Sequence, residues 1–185
     1  MHSIDLVVKE GNKIMKYNYR ILVKLKGCEK LIKRTFLIND CVKIKDLCEL
    51  IIVSMNGDLM HLYNLKHKGK YYIYNNLGKT DIGEIKMNNL SLNKILVEEK
   101  EKLELLYDFG DNWIFKILVS KKSIGHNKRN IILIDGAGKG IEEDCGGNYG
   151  LINLINNSEN SCNYNIGDFN IDEINDYINK RYNDI

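Results

Sequence analysis

Residues 19–55 read YRILVKLKGCEKLIKRTFLINDCVKIKDLCELIIVSM, and this stretch decides the fold. Tyr19 to Lys26 alternates and is rich in β-formers, which is typical of a strand. Gly27 to Lys30 is composed like a turn, and Leu31 to Ile38 indicates a second strand. The sequence therefore predicts a β-hairpin.

A helix is predicted directly after this hairpin. Val42 to Met55 carries its apolar residues at helical spacing, and Asn39 or Asp40 can cap the first turn. Further on, we predict strands over residues 61–66, 70–74, 81–87, 102–108, 113–120 and 129–135, and helices over 91–95, 149–156 and 171–182. The order predicts an α+β domain in which a β-β-α-β unit opens a mostly antiparallel sheet and helices end the chain.

Length and composition limit the class of protein. The 185 residues fit one domain spanning residues 1–185, and 44% hydrophobic with 28% charged residues excludes disorder as the main state. No apolar run approaches the roughly 18–20 residues of a membrane span, so we expect no membrane association. The five cysteines are scattered without a CxxC pair, which argues against a disulfide framework and favours a cytoplasmic location.

Charge is distributed unevenly along the chain. Residues 1–80 hold 15 Lys and Arg against 7 Asp and Glu, whereas residues 136–185 hold 3 against 9. Either the molecule is dipolar or the two parts pack together and neutralise each other. A basic surface on the first hairpin either contacts nucleic-acid phosphates or is a solvated lysine face; its residues are Lys24, Lys26, Lys30, Lys33 and Arg34, with Lys43 and Lys45 nearby.

Acidic residues in two polar loops suggest a cation site. Asp108, Asp111, Glu143 and Asp144 could converge on Mg²⁺ or Ca²⁺, which take oxygen ligands. The alternative is structural: Asp111 and Asn112 would bond backbone groups of a turn, and Asp144 would cap the following helix. Spacing alone leaves both interpretations open.

Four further residues are candidates for binding. Gly146 and Gly147 suit positive φ angles or a close backbone approach, and before a helix they could also hold a phosphate. His61 is either a hydrogen-bonded structural residue or a base or ligand. Trp113, together with Phe109, is expected to anchor a hairpin in the core; the alternative is that Trp113 is an exposed binding residue.

Several motifs, taken in order, resemble those of one family. The string Tyr107-Asp108-Phe109-Gly110-Asp111-Asn112-Trp113 is the most distinctive. The other matching stretches are Lys33-Arg34, Leu47 to Ile52 followed by His61-Leu62-Tyr63, Glu143 to Gly147 followed by Tyr149-Gly150, and Phe169 to Asn175. Together they are similar to the plasmid pRiA4b ORF-3-like family, also known as passenger proteins of insertion elements, over residues 17–181. The resemblance implies an α/β roll.

This resemblance and the residues together suggest three functions. The first is a non-enzymatic accessory or binding protein of a mobile element, plasmid or phage, acting through an unknown protein partner, with counter-defence inhibition as one form. The second is a metal-dependent hydrolase or nuclease that uses the four loop carboxylates. The third is a nucleic-acid-binding module. Two histidines common in the family are replaced here by Cys48 and Phe115, which weakens any catalysis that would need them.

Overall fold

The structure is a computed structural model that describes residues 7–10, 13–16, 19–74, 83–98, 100–122, 131–157 and 164–183. Its strands are β1 (Val7–Glu10), β2 (Lys13–Lys16), β3 (Tyr19–Leu25), β4 (Lys33–Ile38), β5 (Tyr63–His67), β6 (Lys70–Ile73), β7 (Glu84–Lys86), β8 (Lys102–Tyr107), β9 (Trp113–Lys122) and β10 (Ile131–Ala137). Its α-helices are α1 (Ile44–Ser54), α2 (Gly147–Asn156) and α3 (Ile171–Ile178). A short 3-10 helix spans Leu92–Lys94, and a π-helical turn, Asn179–Asn183, follows α3.

One large sheet organises most of these strands. Eight strands follow the order β10-β4-β3-β9-β8-β5-β6-β7, while β1 and β2 pair separately. Neighbours in the large sheet are antiparallel, except that β6 and β7 run parallel. The β8–β9 hairpin lies between the hairpins β3–β4 and β5–β6. The predicted α+β class, the β-β-α-β opening unit and the C-terminal helices are confirmed.

Strand β4 is buried on both faces, whereas strands such as β3 and β8 alternate and bury one face. On β3 the buried side chains are Tyr19, Ile21, Val23 and Leu25. The partners of Ile21, Val23 and Leu25 in register on β9 are buried as well; they are Val119, Ile117 and Phe115. Helix α1 joins this core with nearly all of its length buried. Full burial of each large aliphatic side chain stabilises the fold by about 1.5–3 kcal/mol.

The start of α1 differs from the prediction. The helix begins at Ile44, its N-cap is Lys43, and no side chain caps it, so the expectation that Asn39 or Asp40 would do so was wrong. The reason lies in a neighbouring loop, because the Ile44 amide donates to the Leu90 carbonyl at 2.8 Å. A backbone acceptor thus replaces the side-chain cap.

Edge strand β10 is covered through two asparagine side chains. The Asn175 amide group accepts from Leu133 N at 2.9 Å and donates to Leu133 O at 3.0 Å. Asn183 does the same with Ile131. These bonds occupy backbone groups that an open edge would offer to another chain. Within the described ranges, no helix is long and apolar enough to cross a membrane.

Arg34 corrects the predicted basic surface. Its side chain is buried at 0% exposure instead of lying on the hairpin surface, and its guanidinium stacks 4.1 Å over the Phe169 ring. All five guanidinium N–H groups have backbone carbonyl partners, which belong to Lys33, Ser54, Ala137, Gly138 and Lys139. Neighbouring Lys33 is partly exposed and pairs with Asp135 at 3.1 Å. Arg34 therefore holds loops together and presents no charge to a phosphate.

Candidate metal centre

Three loop segments meet at one end of strands β5 and β8: residues 56–62, 107–112 and 141–149. Backbone bonds join the first two, because Asp108 N donates to Leu62 O at 3.0 Å. The third is attached to the end of α1, where Ile141 N donates to Met55 O at 2.8 Å. Residues far apart in sequence are therefore neighbours here.

A histidine and two carboxylates converge at this junction. His61, Asp108 and Glu143 each offer one ligand atom, and these three atoms lie within 4.8 Å of one another. His61 Nδ1 lies 3.6 Å from Asp108 Oδ1. Asp108 is buried, whereas His61 and Glu143 are half-buried. The group is therefore open to solvent on one side.

The β8–β9 turn positions Asp108. Its φ is +55°, a left-handed conformation that aspartate tolerates better than most residues. Its Oδ1 accepts from Gly110 N at 2.8 Å, and its carbonyl accepts from Asn112 N at 2.7 Å. The backbone bonds of this turn are therefore made by Asp108, and not by Asp111 as the structural alternative held. Asp111 Oδ2 is buried without a hydrogen-bond partner among the described residues.

Glu143 shares a hydroxyl with another acid. Its Oε1 accepts from Asp58 N at 3.0 Å and lies 3.0 Å from the Tyr107 hydroxyl. The same hydroxyl lies 2.8 Å from Asp58 Oδ1. Burial, together with these two acids, raises the pKa of Tyr107 well above its ordinary value, so it stays protonated. Its single proton can be donated to only one of the two carboxylates.

The other oxygen of Glu143 is unpaired. Within the described part of the chain, Glu143 Oε2 is buried and has no hydrogen-bond partner. Burial, as the largest cause, raises the pKa of Glu143 despite the bonds from Asp58 N and Tyr107. An additional proton or a cation beside this oxygen would satisfy it.

Comparison with known proteins identifies the family. The family model described as "Plasmid pRiA4b ORF-3-like protein" matches residues 17–183. The chain belongs to this family. A similar solved structure is that of MM3350 from Methanosarcina mazei, described as a protein of unknown function, with a TM-score of 0.68 and 18% identity over 85% of this chain and 98% of that one. That likeness concerns the fold alone. No curated protein matches the chain.

In this pRiA4b ORF-3-like protein, two of the four predicted carboxylates lie outside the converging group. Asp144 is exposed and has a φ of +57°. The structural alternative, in which Asp144 caps α2, was wrong, because the N-cap position is occupied by Gly146, which has no capping side chain. The backbone of Asp111 packs against the start of α2: a Cβ added to Gly147 would lie 2.3 Å from the Asp111 carbonyl oxygen. Gly146 and Gly147 have positive φ angles of +88° and +65°, as expected.

Trp113 and Phe109 have different environments. Trp113 is buried at 0% exposure and pairs in register with Tyr107. Phe109 is 55% exposed, so the prediction that it anchors the hairpin was wrong. It lies in the turn beyond Tyr107, the last inward-facing position of β8, and the pleat no longer determines its direction.

Sequence reasoning missed Asp58 and the role of Tyr107. A signal for Tyr107 was present: an aromatic hydroxyl at an inward position of a strand requires a buried polar partner. No comparable signal identified Asp58, because its contacts depend on the path of the loop after α1.

Proposed function

We propose that this protein is a metal-dependent hydrolase that holds a divalent cation with His61, Asp108 and Glu143. Their convergence within 4.8 Å carries the proposal. The unpartnered, buried Oε2 of Glu143 supports it independently. Three protein ligands are typical of catalytic zinc sites, in which a further position stays open for water or substrate.

The ligand set also favours a type of metal. The four loop carboxylates of the sequence suggested Mg²⁺ or Ca²⁺, since these ions take oxygen ligands. An imidazole nitrogen beside two carboxylates favours a transition metal instead, and Zn²⁺ is the first choice. A divalent cation bound here would lower the pKa of a water molecule in the open position.

The surrounding residues hold the ligands in place. The Tyr107 hydroxyl and the Asp58 amide fix one oxygen of Glu143, which leaves the other free to bind. The rings of His61 and Tyr107 meet edge to face with centroids 5.8 Å apart, which restricts the imidazole. Such neighbours of metal ligands commonly change affinity by about 10–100-fold.

Calorimetry with the EDTA-dialysed full chain tests metal binding. We expect saturable Zn²⁺ binding that is abolished in Asp108→Asn, because asparagine keeps the turn geometry but removes the charge. Asp144→Asn is the matched control, since it removes an exposed acid outside the group. Absence of Zn²⁺ binding, or equal losses in both variants, would contradict the proposed site.

A separate assay tests hydrolysis. We expect Zn²⁺-dependent cleavage of p-nitrophenyl acetate or bis-p-nitrophenyl phosphate, with loss of activity in Asp108→Asn. The first probe reports acyl transfer and the second phosphodiester cleavage. If zinc binds but neither probe is cleaved, the hydrolase proposal fails.

A second candidate is a non-enzymatic accessory protein of a mobile element, plasmid or phage, acting in the cytoplasm through protein contacts. The observation that favours it is the exposure of Met60, Leu62 and Tyr149, at 80%, 68% and 79%. Counter-defence inhibition belongs to this class. Pull-downs from the native host with wild type and Leu62→Ser, compared by mass spectrometry, test it. A partner lost only in the variant is the expected result.

A further inference from the structure

We propose that the surface around the candidate metal centre binds a polypeptide segment that carries both apolar and basic side chains. This surface, the acidic rim, consists of residues 56–62, 107–112 and 141–149. The inference names a substrate or partner class for the proposed metal site and in that respect rests on the proposed function.

The three segments of the rim carry an excess of negative charge. Its three segments contain six carboxylates and no lysine or arginine; the carboxylates are Asp58, Asp108, Asp111, Glu142, Glu143 and Asp144. Lys139 reaches Glu142 from outside at 2.9 Å and neutralises one of them. A divalent cation would reduce the remaining negative charge without reversing it. The rim therefore attracts ammonium and guanidinium groups and repels a phosphate backbone.

The rim also exposes large apolar side chains. Met60, Tyr149 and Leu62 have the three highest exposures among the large hydrophobic residues described, and Phe109 is 55% exposed. Single exposed hydrophobic residues are common, but several around one polar site are typical of an interaction surface. Methionine adapts its shape to varied partners. Because exposed apolar side chains lie on all three segments, an extended partner could contact them on several sides of the site.

Neither property alone selects the partner, but their combination does. A nucleic acid offers bases for stacking but brings phosphates to an acidic surface. A polypeptide with leucine-like and lysine-like side chains satisfies both the apolar residues and the charge. A second copy of this chain is a competing occupant, because residues 1–80 have an excess of basic residues.

Fluorescence anisotropy with labelled probes tests the inference. The probes are a peptide of leucine and lysine, one of leucine and glutamate, one of serine and lysine, and a single-stranded DNA of similar length. We expect the full chain to bind the leucine–lysine peptide at least about tenfold more tightly than the other three, a difference of about 1.4 kcal/mol. Equal binding to the acidic peptide, or tighter binding of the DNA, would overturn the inference.

Two variants locate the binding surface. Leu62→Ser should weaken binding of the leucine–lysine peptide several-fold. Val97→Ser is the matched control, because Val97 is 60% exposed but lies near Glu101, at the opposite end of β8. Equal losses in both variants would overturn the location. It would also be overturned if the wild-type protein forms a dimer, binds no peptide, and becomes monomeric on Leu62→Ser substitution.

Zinc calorimetry on the same preparation separates this inference from the proposed function. If zinc binds and the peptide preference is absent, the inference fails and the metal site stands. If the preference is present and zinc does not bind, the metal site fails and the peptide-binding surface stands.

Discussion

Strands β5 and β8 have a histidine and a carboxylate at each end, and the two ends differ in how fully these groups are bonded. At one end, the closed end, His67 lies beside Glu101, which directly precedes β8. At the other, the open end, His61 lies beside Asp108, which directly follows β8. His67 and Glu101 side chains are only 4% and 2% exposed. The His61 side chain is 36% exposed.

Glu101 has every partner that it needs. One oxygen bonds His67 Nε2, and the other accepts from Val97 N at 2.7 Å and Glu98 N at 2.6 Å. Burial alone would raise the pKa of Glu101, but these bonds hold it below its ordinary value. Glu143 shows the opposite shift and retains an unpaired oxygen. The comparison teaches that completeness of bonding, and not residue type, separates a structural pair from a candidate site.

The largest effect is expected from the core beside the end that holds His61 and Asp108, where Trp113 pairs with Tyr107. Trp113→Ala should reduce the free energy of unfolding by about 3–5 kcal/mol, because a fully buried indole is removed. Chemical denaturation measures this loss. A loss below about 1 kcal/mol would show that the open end does not rest on a packed tryptophan.

A smaller loss is expected at the closed end. Glu101→Gln should cost about 1–3 kcal/mol at neutral pH, since the amide cannot satisfy His67 and both backbone amides equally well. Because the folded state lowers the pKa of Glu101, its contribution is present above the unfolded pKa and lost as pH falls through the folded value. Urea melts of wild type and variant should therefore converge in acid. A difference that grows in acid would contradict this.

At the open end, one hydroxyl positions a ligand. Tyr107→Phe should weaken Zn²⁺ binding about tenfold, because the hydroxyl 3.0 Å from Glu143 Oε1 is removed while the ring packing is kept. Calorimetry measures the change, and Tyr149→Phe, on an exposed tyrosine of the rim, is the control. Unchanged affinity in Tyr107→Phe would show that the hydroxyl does not position Glu143.

The smallest effect concerns the metal-free protein. Folding raises the pKa of Glu143 above its ordinary 4.5, so the stabilising protonated form is complete below the unfolded pKa and is lost as pH rises through the folded value. Glutamine imitates the protonated acid. With EDTA present, Glu143→Gln should match wild type in acid and have a slightly higher Tm at neutral pH by differential scanning fluorimetry. A lower Tm at neutral pH would contradict the repulsive, unsatisfied state of Glu143.

Local patterns predicted the fold because alternation and helical spacing report burial directly. Alternation could not have placed Arg34, because both faces of β4 are buried. The site was harder to predict. Asp108 and Glu143 were identified by their motifs. That His61 joins them, and Asp111 and Asp144 do not, depends on how separate loops pack, which no local pattern encodes.

Anomalous diffraction at the zinc edge, from crystals grown with Zn²⁺, tests the difference between the two ends most directly. We expect one strong peak among His61, Asp108 and Glu143, with ligand distances of about 2.0–2.2 Å, and none beside His67. A crystal grown with Zn²⁺ that shows no peak in this group, or that has its strongest peak elsewhere on the chain, would contradict the assignment of the open end as a metal centre.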